Sequence, residues 1–246
     1  MIDRRTLIAC GAAFAALPQA RAEPARQGEP VRAVLELFTS QSCSSCPPAD
    51  RLFQTLAREK GTLALTLPVT IWDHLGWKDT LAKTVFSERQ KNYCRTRGDR
   101  NVYTPQAVVN GLAHVKGSDL SAIEAARRET QQQEGVLALL PVLEGARGRW
   151  QVALPASSLK GQVVLVTFDR NRTVRIGRGE NSGREIHYAN VVKSMQVIGT
   201  YAGAAVRIDL PAEAVADATQ GFAVLVQDGD EKLPGTVYGA VESPRA

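Results

Sequence analysis

The amino-acid sequence predicts an α/β domain followed by a β-rich, sandwich-like domain. Between residues 31 and 134, apolar β-branched runs alternate with segments in which apolar residues recur every three or four positions. This pattern is typical of strands that alternate with amphipathic helices. From Val136 onward, short apolar runs are separated by turn residues at regular spacing, which favours a β-sandwich. We therefore expect two domains, 31–134 and 135–246, with a boundary near Gly135.

The elements of the first domain follow one another in a recognisable order. The predicted elements are strand Val31–Phe38, helix Ala49–Lys60, strand Leu63–Ile71, helix Phe86–Arg97, a hairpin of Gln106–Asn110 and Ala113–Lys116, and helix Ser118–Gln133. Asn110-Gly111 supplies the turn of the hairpin, and Ser118 or Asp119 caps the last helix. The order β, α, β, α, β, β, α is that of a thioredoxin-like sheet. In the second domain, strands are predicted over 151–154, 163–168, 174–176, 206–210 and 222–226.

Composition excludes several classes of protein. Hydrophobic residues make up 44% and charged residues 22% of the chain, as in ordinary globular proteins. The net charge of +5 is small, and lysine and arginine are interspersed with acidic residues. A nucleic-acid partner is therefore not expected.

The first 22 residues have the layout of a secretory signal peptide. Arg4 and Arg5 precede a weakly apolar run over Leu7–Leu17, and cleavage is predicted after Ala22. The paired arginines are similar to a twin-arginine signal, with the general secretory route as the alternative. The apolar run is too short to span a membrane. We expect a mobile leader over residues 23–30 and a periplasmic or secreted protein without a membrane span.

The strongest chemical signal is the dithiol sequence Cys43-Ser44-Ser45-Cys46. Two cysteines separated by two residues, between a strand and a helix, form a known redox arrangement. The positive end of the helix dipole stabilises a thiolate, so Cys43 is predicted to be the attacking nucleophile. Cys46, in the first turn, is predicted to resolve the mixed disulfide. The redox-active disulfide then needs no other cofactor.

Three other interpretations of this dithiol stay open. The pair could form a permanent structural disulfide, although so short a loop constrains the unfolded chain little. A closed zinc site would need two more ligands, and the three histidines are scattered, so no metal site is predicted. The third interpretation is a non-catalytic binding module that delivers Cu(I) between the two thiolates or docks a partner.

Two further positions are candidates for the chemistry around the dithiol. Thr104-Pro105 precedes the hairpin where thioredoxin-like folds hold a cis-proline, and a cis bond would leave the Thr104 backbone free to pair with a substrate. An ordinary trans turn is the alternative. Glu36 lies on the first predicted strand, and a carboxylate buried beneath the dithiol could relay the proton of Cys46. A surface glutamate is the alternative.

An aromatic and charged cluster follows the second predicted strand. Its members are Trp72, Asp73, His74, Trp77, Lys78 and Asp79. This cluster, and Trp72, Asp73, Trp77 and Lys78 in particular, could line the edge of a substrate groove, with packing of the two tryptophans in the core as the alternative. Cys94 is the odd cysteine of the mature chain. It is expected to be buried and inert, and a third redox partner is the alternative.

Several motifs together resemble the exported thioredoxin-like family defined as domain of unknown function 1223. They are VLELFTSQSCSSCPPADR (34–51), WDHLGWKD (72–79), ERQKNYCRTRG (88–98), VYTPQAVVNG (102–111) and RGENSGREIHYANVV (178–192). The resemblance implies a thioredoxin-like domain before a β-rich part, the dithiol at Cys43 and Cys46, and the proline at Pro105. It implies no substrate. A loop around Asn181 that packs against the dithiol is a hypothesis, with a turn-forming motif as the alternative.

The sequence therefore predicts an exported thiol–disulfide oxidoreductase. It would act through Cys43 and Cys46 on protein or small-molecule disulfides, with protein thiols or a redox partner protein as its partners. The direction of electron flow and the oligomeric state are not predicted.

Overall fold

The structure, a computed structural model, describes residues 26–100, 102–146, 149–216 and 220–245. The predicted signal peptide and its cleavage site lie outside these residues. The described chain has a mixed α/β fold with a large body made mostly of sheet. None of the helices in these ranges is both long and apolar enough to cross a membrane.

The elements of the described residues are thirteen strands and four helices. The strands are β1 (Arg26–Gln27), β2 (Glu29–Pro30), β3 (Ala33–Thr39), β4 (Thr62–Pro68), β5 (Gln106–Val109), β6 (Ala113–Lys116), β7 (Val142–Ala146), β8 (Arg149–Leu154), β9 (Gly161–Arg175), β10 (Glu185–Tyr201), β11 (Val206–Asp209), β12 (Gln220–Gly229) and β13 (Pro234–Glu242). The helices are α1 (Pro47–Leu56), α2 (Thr84–Arg97), α3 (Leu120–Gln131) and α4 (Ala212–Val215).

Two sheets organise the described residues. Nine strands form the large sheet, in the order β2-β13-β12-β9-β10-β4-β3-β5-β6, and four form the small sheet, in the order β1-β7-β8-β11. β4 lies parallel to both β3 and β10, and the other paired strands are antiparallel. Strands from both sides of residue 135 therefore share the large sheet.

The segment before β3 is paired with the rest of the molecule. Arg26 lies opposite Gly145 in the small sheet, and Pro30 lies opposite Val241 in the large sheet. Residues 26–30, which the sequence analysis places in a mobile leader over residues 23–30, thus include two short paired strands. Their pairing partners lie more than a hundred residues away, so nothing in the local sequence indicates these contacts.

The two longest strands differ from the short strands that the sequence predicts. The separate strands predicted over 163–168 and 174–176 belong to one strand, β9, and β10 was not predicted at all. Register shifts interrupt β10 between Val192 and Ser194 and between Val197 and Gly199. Such bulges break the two-residue alternation by which a strand is found in a sequence.

The large sheet has different neighbours on its two faces. On one face, α1 and α3 pack against β3 through a cluster that includes Leu35 and Leu37. The small sheet covers the same face further along, where β8 packs against β9 and β12. The other face carries α2, which packs in a cluster that includes Val34 and Phe38. Successive residues of a strand point to opposite faces, so β3 separates the surroundings of α1 from those of α2.

Candidate functional site

The candidate site is a disulfide at the junction of β3 and α1. Cys43 and Cys46 are bonded to each other, with their Cα atoms 5.4 Å apart. α1 begins directly after Cys46, and prolines occupy its first two positions, where a helix has no use for backbone donors. Cys43 is 7% exposed and Cys46 is fully buried. Of the two cysteines, only Cys43 thus has any surface in contact with solvent.

The aromatic and charged cluster holds the loop that leads to the disulfide. The backbone N–H of Gln41 donates to Asp79 Oδ2 at 2.8 Å, and Trp77 Nε1 donates to Gln41 Oε1 at 2.8 Å. The hydroxyl of Ser42 donates to the carbonyl of Trp77. These bonds join residues more than thirty positions apart in sequence, and they fix the entrance to the Cys43 turn.

Asp79 is the anchor of this cluster. Its buried carboxylate also accepts the backbone N–H groups of Leu81 and Ala82, while its own N–H donates to Asp73 Oδ1 at 3.1 Å. Burial raises the pKa of Asp79, against the lowering effect of the backbone hydrogen bonds, and the nearby Asp73 raises it further. Asp73 thus shapes the loop, whereas Lys78 is exposed on its surface.

The turn between β9 and β10 also binds the loop that leads to the disulfide. Asn181 is fully buried, and its Nδ2 donates to the carbonyls of Gln41 and Cys43, both at 2.9 Å. Arg184 Nη1 donates to Asn181 Oδ1 at 3.1 Å. The structure thus brings the loop around Asn181 against the dithiol loop, and a contact 138 residues apart in sequence provides a donor for the carbonyl of Cys43.

Thr104 and Pro105 approach the site from the start of β5, and the bond between them is cis. Trp72 Nε1 donates to Thr104 Oγ1 at 2.7 Å. Gly117 lies between Pro105 and α1. A Cβ atom placed on this glycine would be 3.3 Å from the Cβ of Pro105 and 3.5 Å from the Cβ of Ala49 in α1. Pro105 is therefore beside the first turn of α1.

The two tryptophans have different surroundings, because Trp77 packs in an apolar cluster with Tyr188.

The structure corrects the predicted location of Glu36. Its carboxylate is fully buried but faces α2, where it forms an ion pair with Arg89 at 2.6 Å and accepts a hydrogen bond from Tyr93. Glu36 belongs to the alternate set of β3 residues that points away from α1. The proton-relay role that the sequence analysis gave to Glu36 does not fit this location.

The carboxylate on the α1 side is Asp50, which the sequence analysis missed. Its side chain is 1% exposed, and Oδ1 accepts a hydrogen bond of 2.8 Å from the hydroxyl of Thr39. Oδ2 has no hydrogen-bond partner among the described residues, and neither has the buried hydroxyl of Tyr188. Burial raises the pKa of Asp50 to about 8, the Thr39 hydrogen bond opposes this shift, and the charge of Asp79 adds to it.

Asp50 and Cys46 are close for a simple reason. The N–H of Asp50 donates to the carbonyl of Cys46 in the first turn of α1. Side chains four residues apart on a helix lie on one face, with Cβ atoms about 5–6 Å apart. The signal for Asp50 was therefore present in the sequence as an acidic residue four positions after the second cysteine.

Cys94 lies apart from this site. It is buried in α2, on the other face of the large sheet, and Arg97 Nη2 donates to its sulfur at 3.4 Å. Burial raises the pKa of its thiol. Across the described ranges, no three histidine, cysteine, aspartate or glutamate side chains are grouped so that they could hold a metal ion.

Fold and site together define a mixed α/β protein with a disulfide at a strand–helix junction. The chain belongs to the DUF1223 family, described as a protein of unknown function, whose model matches residues 34–227. It is similar to the crystal structure of protein AGR_C_4864 from Agrobacterium tumefaciens, with a TM-score of 0.78 and 34% identity, over 87% of this chain and 95% of that chain.

Two weaker similarities concern the fold and a short stretch of the chain. HBP35 of Porphyromonas gingivalis has a TM-score of 0.51 and 12% identity, over 87% of this chain and 75% of that chain, which is a likeness of fold alone. A protein named "Probable Thioredoxin" from Archaeoglobus fulgidus is 44% identical over 36 residues. That match spans 15% of this chain and 40% of the length of that relative.

Proposed function

We propose that this protein is a thiol–disulfide oxidoreductase with a thioredoxin-like core, which acts through Cys43 and Cys46. The observation that carries the proposal is a disulfide between a slightly exposed and a fully buried cysteine at the amino end of α1. The helix dipole stabilises a thiolate at this end, which lowers the pKa expected of a reduced cysteine there.

The arrangement of the first elements supports a thioredoxin-like core. The chain runs β3, α1, β4, α2, β5, β6, α3, and the corresponding strands lie in the order β4-β3-β5-β6 in the sheet. β3 and β4 are parallel, whereas β5 is antiparallel to β3 and to β6. The short similarity to a thioredoxin agrees with this proposal.

The proposed reaction exchanges one disulfide for another without any added oxidant. In the reduced protein, the thiolate of Cys43 attacks a substrate disulfide, forms a mixed disulfide and releases one substrate thiolate. Cys46 loses its proton and attacks the sulfur of Cys43, which breaks the mixed disulfide and releases the second thiolate. The protein disulfide is then formed, two electrons have passed to the substrate, and the two substrate thiolates take up protons. The reverse sequence oxidises a substrate dithiol.

Asp50 is the group that we assign to the proton of Cys46. Asp50 shares a helix face with the buried Cys46, and its Oδ2 has no hydrogen-bond partner among the described residues. The pKa of about 8 for Asp50 is near the ordinary pKa of a thiol, about 8.5, so its carboxylate is suited to accept a proton from Cys46. The charge of a free Cys46 thiolate could not otherwise be formed readily in a buried position.

Replacing Asp50 by asparagine is expected to slow resolution of the mixed disulfide about a hundredfold or more, because general-base catalysis is lost. The first step, attack by Cys43, should change little. Stopped-flow measurement of single turnovers against a small disulfide separates the two steps. Asp119→Asn, which changes a carboxylate at the start of α3, is the matched control. An unchanged resolution rate in the Asp50 variant would remove Asp50 from the mechanism.

The same substitution has a consequence for stability that tests the pKa independently of catalysis. The pKa of Asp50 is raised in the folded protein, so its contribution to stability is present below about pH 4 and is lost as the pH rises to about 8. Urea unfolding of the Asp50→Asn variant should therefore lack part of the decline that the parent protein shows between these pH values.

The experiment that tests the proposed function is the reduction potential of the Cys43–Cys46 pair, measured by equilibration with glutathione and thiol trapping. Catalysts of exchange have potentials of about −120 to −270 mV, and this range is expected here. A potential below about −300 mV is typical of a stable structural disulfide and would contradict the proposal.

We also propose that the exchange takes place outside the cytoplasm, with protein thiols or a redox partner protein as reactants. The support is the signal-like start of the sequence, from the arginine pair to Ala22. Disulfides persist in such oxidising compartments.

A further inference from the structure

The face of the large sheet that carries α2 is wider than this helix. Nine strands of the described residues, about 4.8 Å apart, span close to 40 Å, whereas a helix with its side chains is about 10 Å wide. Beside α2, above β9, β10 and β12, lies a cavity of about 380 Å³, which we call the α2 groove. This volume is within the range of sites that bind small organic molecules.

The groove has an apolar interior. Phe86 of α2, Val164 of β9, and Met195 and Val197 of β10 line it, and Val85 lies at its edge with 65% of its surface exposed. Phe86 and Val164 are core residues, whereas Met195 and Val197 are only partly buried against the same core cluster. The interior thus continues the apolar core to the surface, and methionine adapts readily to the shape of a ligand.

The charged groups that line the groove are mostly acidic. They are Glu88 on α2 and Asp228, Asp230 and Glu231 at the end of β12, against the cations Arg89 and Lys232. The charge of Arg89 is matched by its ion pair with Glu36, at 2.6 Å. Glu88 forms an ion pair with Lys91, but both side chains are nearly half exposed, so water screens that pair. The remaining balance favours a positively charged ligand.

We propose that the α2 groove is a binding site for a small organic cation with an apolar body, such as an aromatic or alkyl amine. The apolar part occupies the space between Phe86 and Met195, and the ammonium group lies at the acidic end beside Glu231. Glu231 is held there because Asn92 Nδ2 donates to its backbone carbonyl at 2.7 Å. The groove and the disulfide lie on opposite faces of the large sheet, so this proposal does not depend on thiol chemistry.

The test uses Met195 as a built-in reporter. The chain contains two methionines, Met1 and Met195, so a protein labelled at the methionine methyl carbons gives a spectrum that is simple to assign. The oxidised protein is titrated with 4-phenylbutylamine and, separately, with 4-phenylbutyrate, which has the same apolar body and the opposite charge. We expect the amine to shift the Met195 signal with a Kd of about 1 mM and the acid to bind at least fivefold more weakly.

Two variants assign the effect to the groove. Val197→Trp fills the interior and should abolish the shift, while Glu231→Lys should weaken binding of the amine about fivefold and strengthen binding of the acid. Glu129→Lys, at the end of α3, is the control for a general change of charge, and the amide spectrum shows whether each variant is folded. Equal shifts with the two compounds, or no shift at about 10 mM amine, would overturn the proposal.

Discussion

Replacing Cys43 by serine is expected to reduce the rate of disulfide exchange about a thousandfold or more, to the background rate. A serine hydroxyl is not ionised near neutral pH and cannot form a mixed disulfide, so the covalent route is lost altogether. Insulin reduction and refolding of a scrambled disulfide protein are the two measurements. The fold should survive, because a loop this short contributes only about 2 kcal/mol of stability.

Replacing Cys46 by serine also removes the disulfide, but we expect a different result from that of the Cys43 variant. Cys43 remains as the nucleophile, so one substrate molecule should be trapped per protein as a mixed disulfide, visible by mass. Cys94→Ser is the control, since Cys94 lies in α2 on the other face of the large sheet, and its exchange rate should match that of the parent. If the Cys46 variant traps no substrate while the folded parent is active, the assigned order of attack is wrong.

The part of the site that could be predicted from sequence is the part that is local. The spacing of Cys43 and Cys46, the prolines after them and the helix that follows are contained in one short segment, and local rules of helix initiation describe it. The hairpin around Asn110-Gly111 is local in the same sense, and its predicted strands agree with β5 and β6 to within a residue.

The hydrogen bonds that hold the dithiol loop in place join distant parts of the chain. Asp79 and Asn181 both bind Gln41, yet they lie 38 and 140 residues from it in sequence. Periodicity describes which residues of one segment share a face, but it does not describe which distant loops meet. Asp79 and Asn181 both lie in motifs that resemble the family. Only the folded chain shows that the two motifs meet at the dithiol loop.

The sequence analysis gave the proton of Cys46 to Glu36, whereas we assign it to Asp50. This difference has a physical explanation. Both are buried acids near the dithiol in sequence, seven residues before Cys43 and four residues after Cys46. Alternation along a strand decides the face of Glu36, and this cannot be known until the strand is placed between two layers. The face on which Asp50 lies is set by the helix alone, because the residue four positions after Cys46 shares the face of Cys46.

The pair of Glu36 and Arg89 leads to the second large expected effect, which concerns stability. Arg89 donates to both carboxylate oxygens of Glu36, at 2.6 and 2.9 Å, and also to Tyr93 and Gln227. The side chain of Glu36 is 1% exposed and that of Arg89 is 13% exposed. Both side chains are therefore largely shielded from water. Arg89→Leu should lower the free energy of unfolding by about 3–5 kcal/mol, because it leaves a buried charge without its partner.

Two comparisons distinguish this buried pair from ordinary loss of a side chain. Arg127→Leu, which breaks ion pairs to the partly exposed Glu59 and Glu124, should cost about 1 kcal/mol or less in urea unfolding. Adding Glu36→Leu to Arg89→Leu should restore stability, since no buried charge is then left. A loss below about 1 kcal/mol for Arg89→Leu at pH 8 would mean that water reaches Glu36, and that the polar network under α2 is held by its neutral hydrogen bonds rather than by charge.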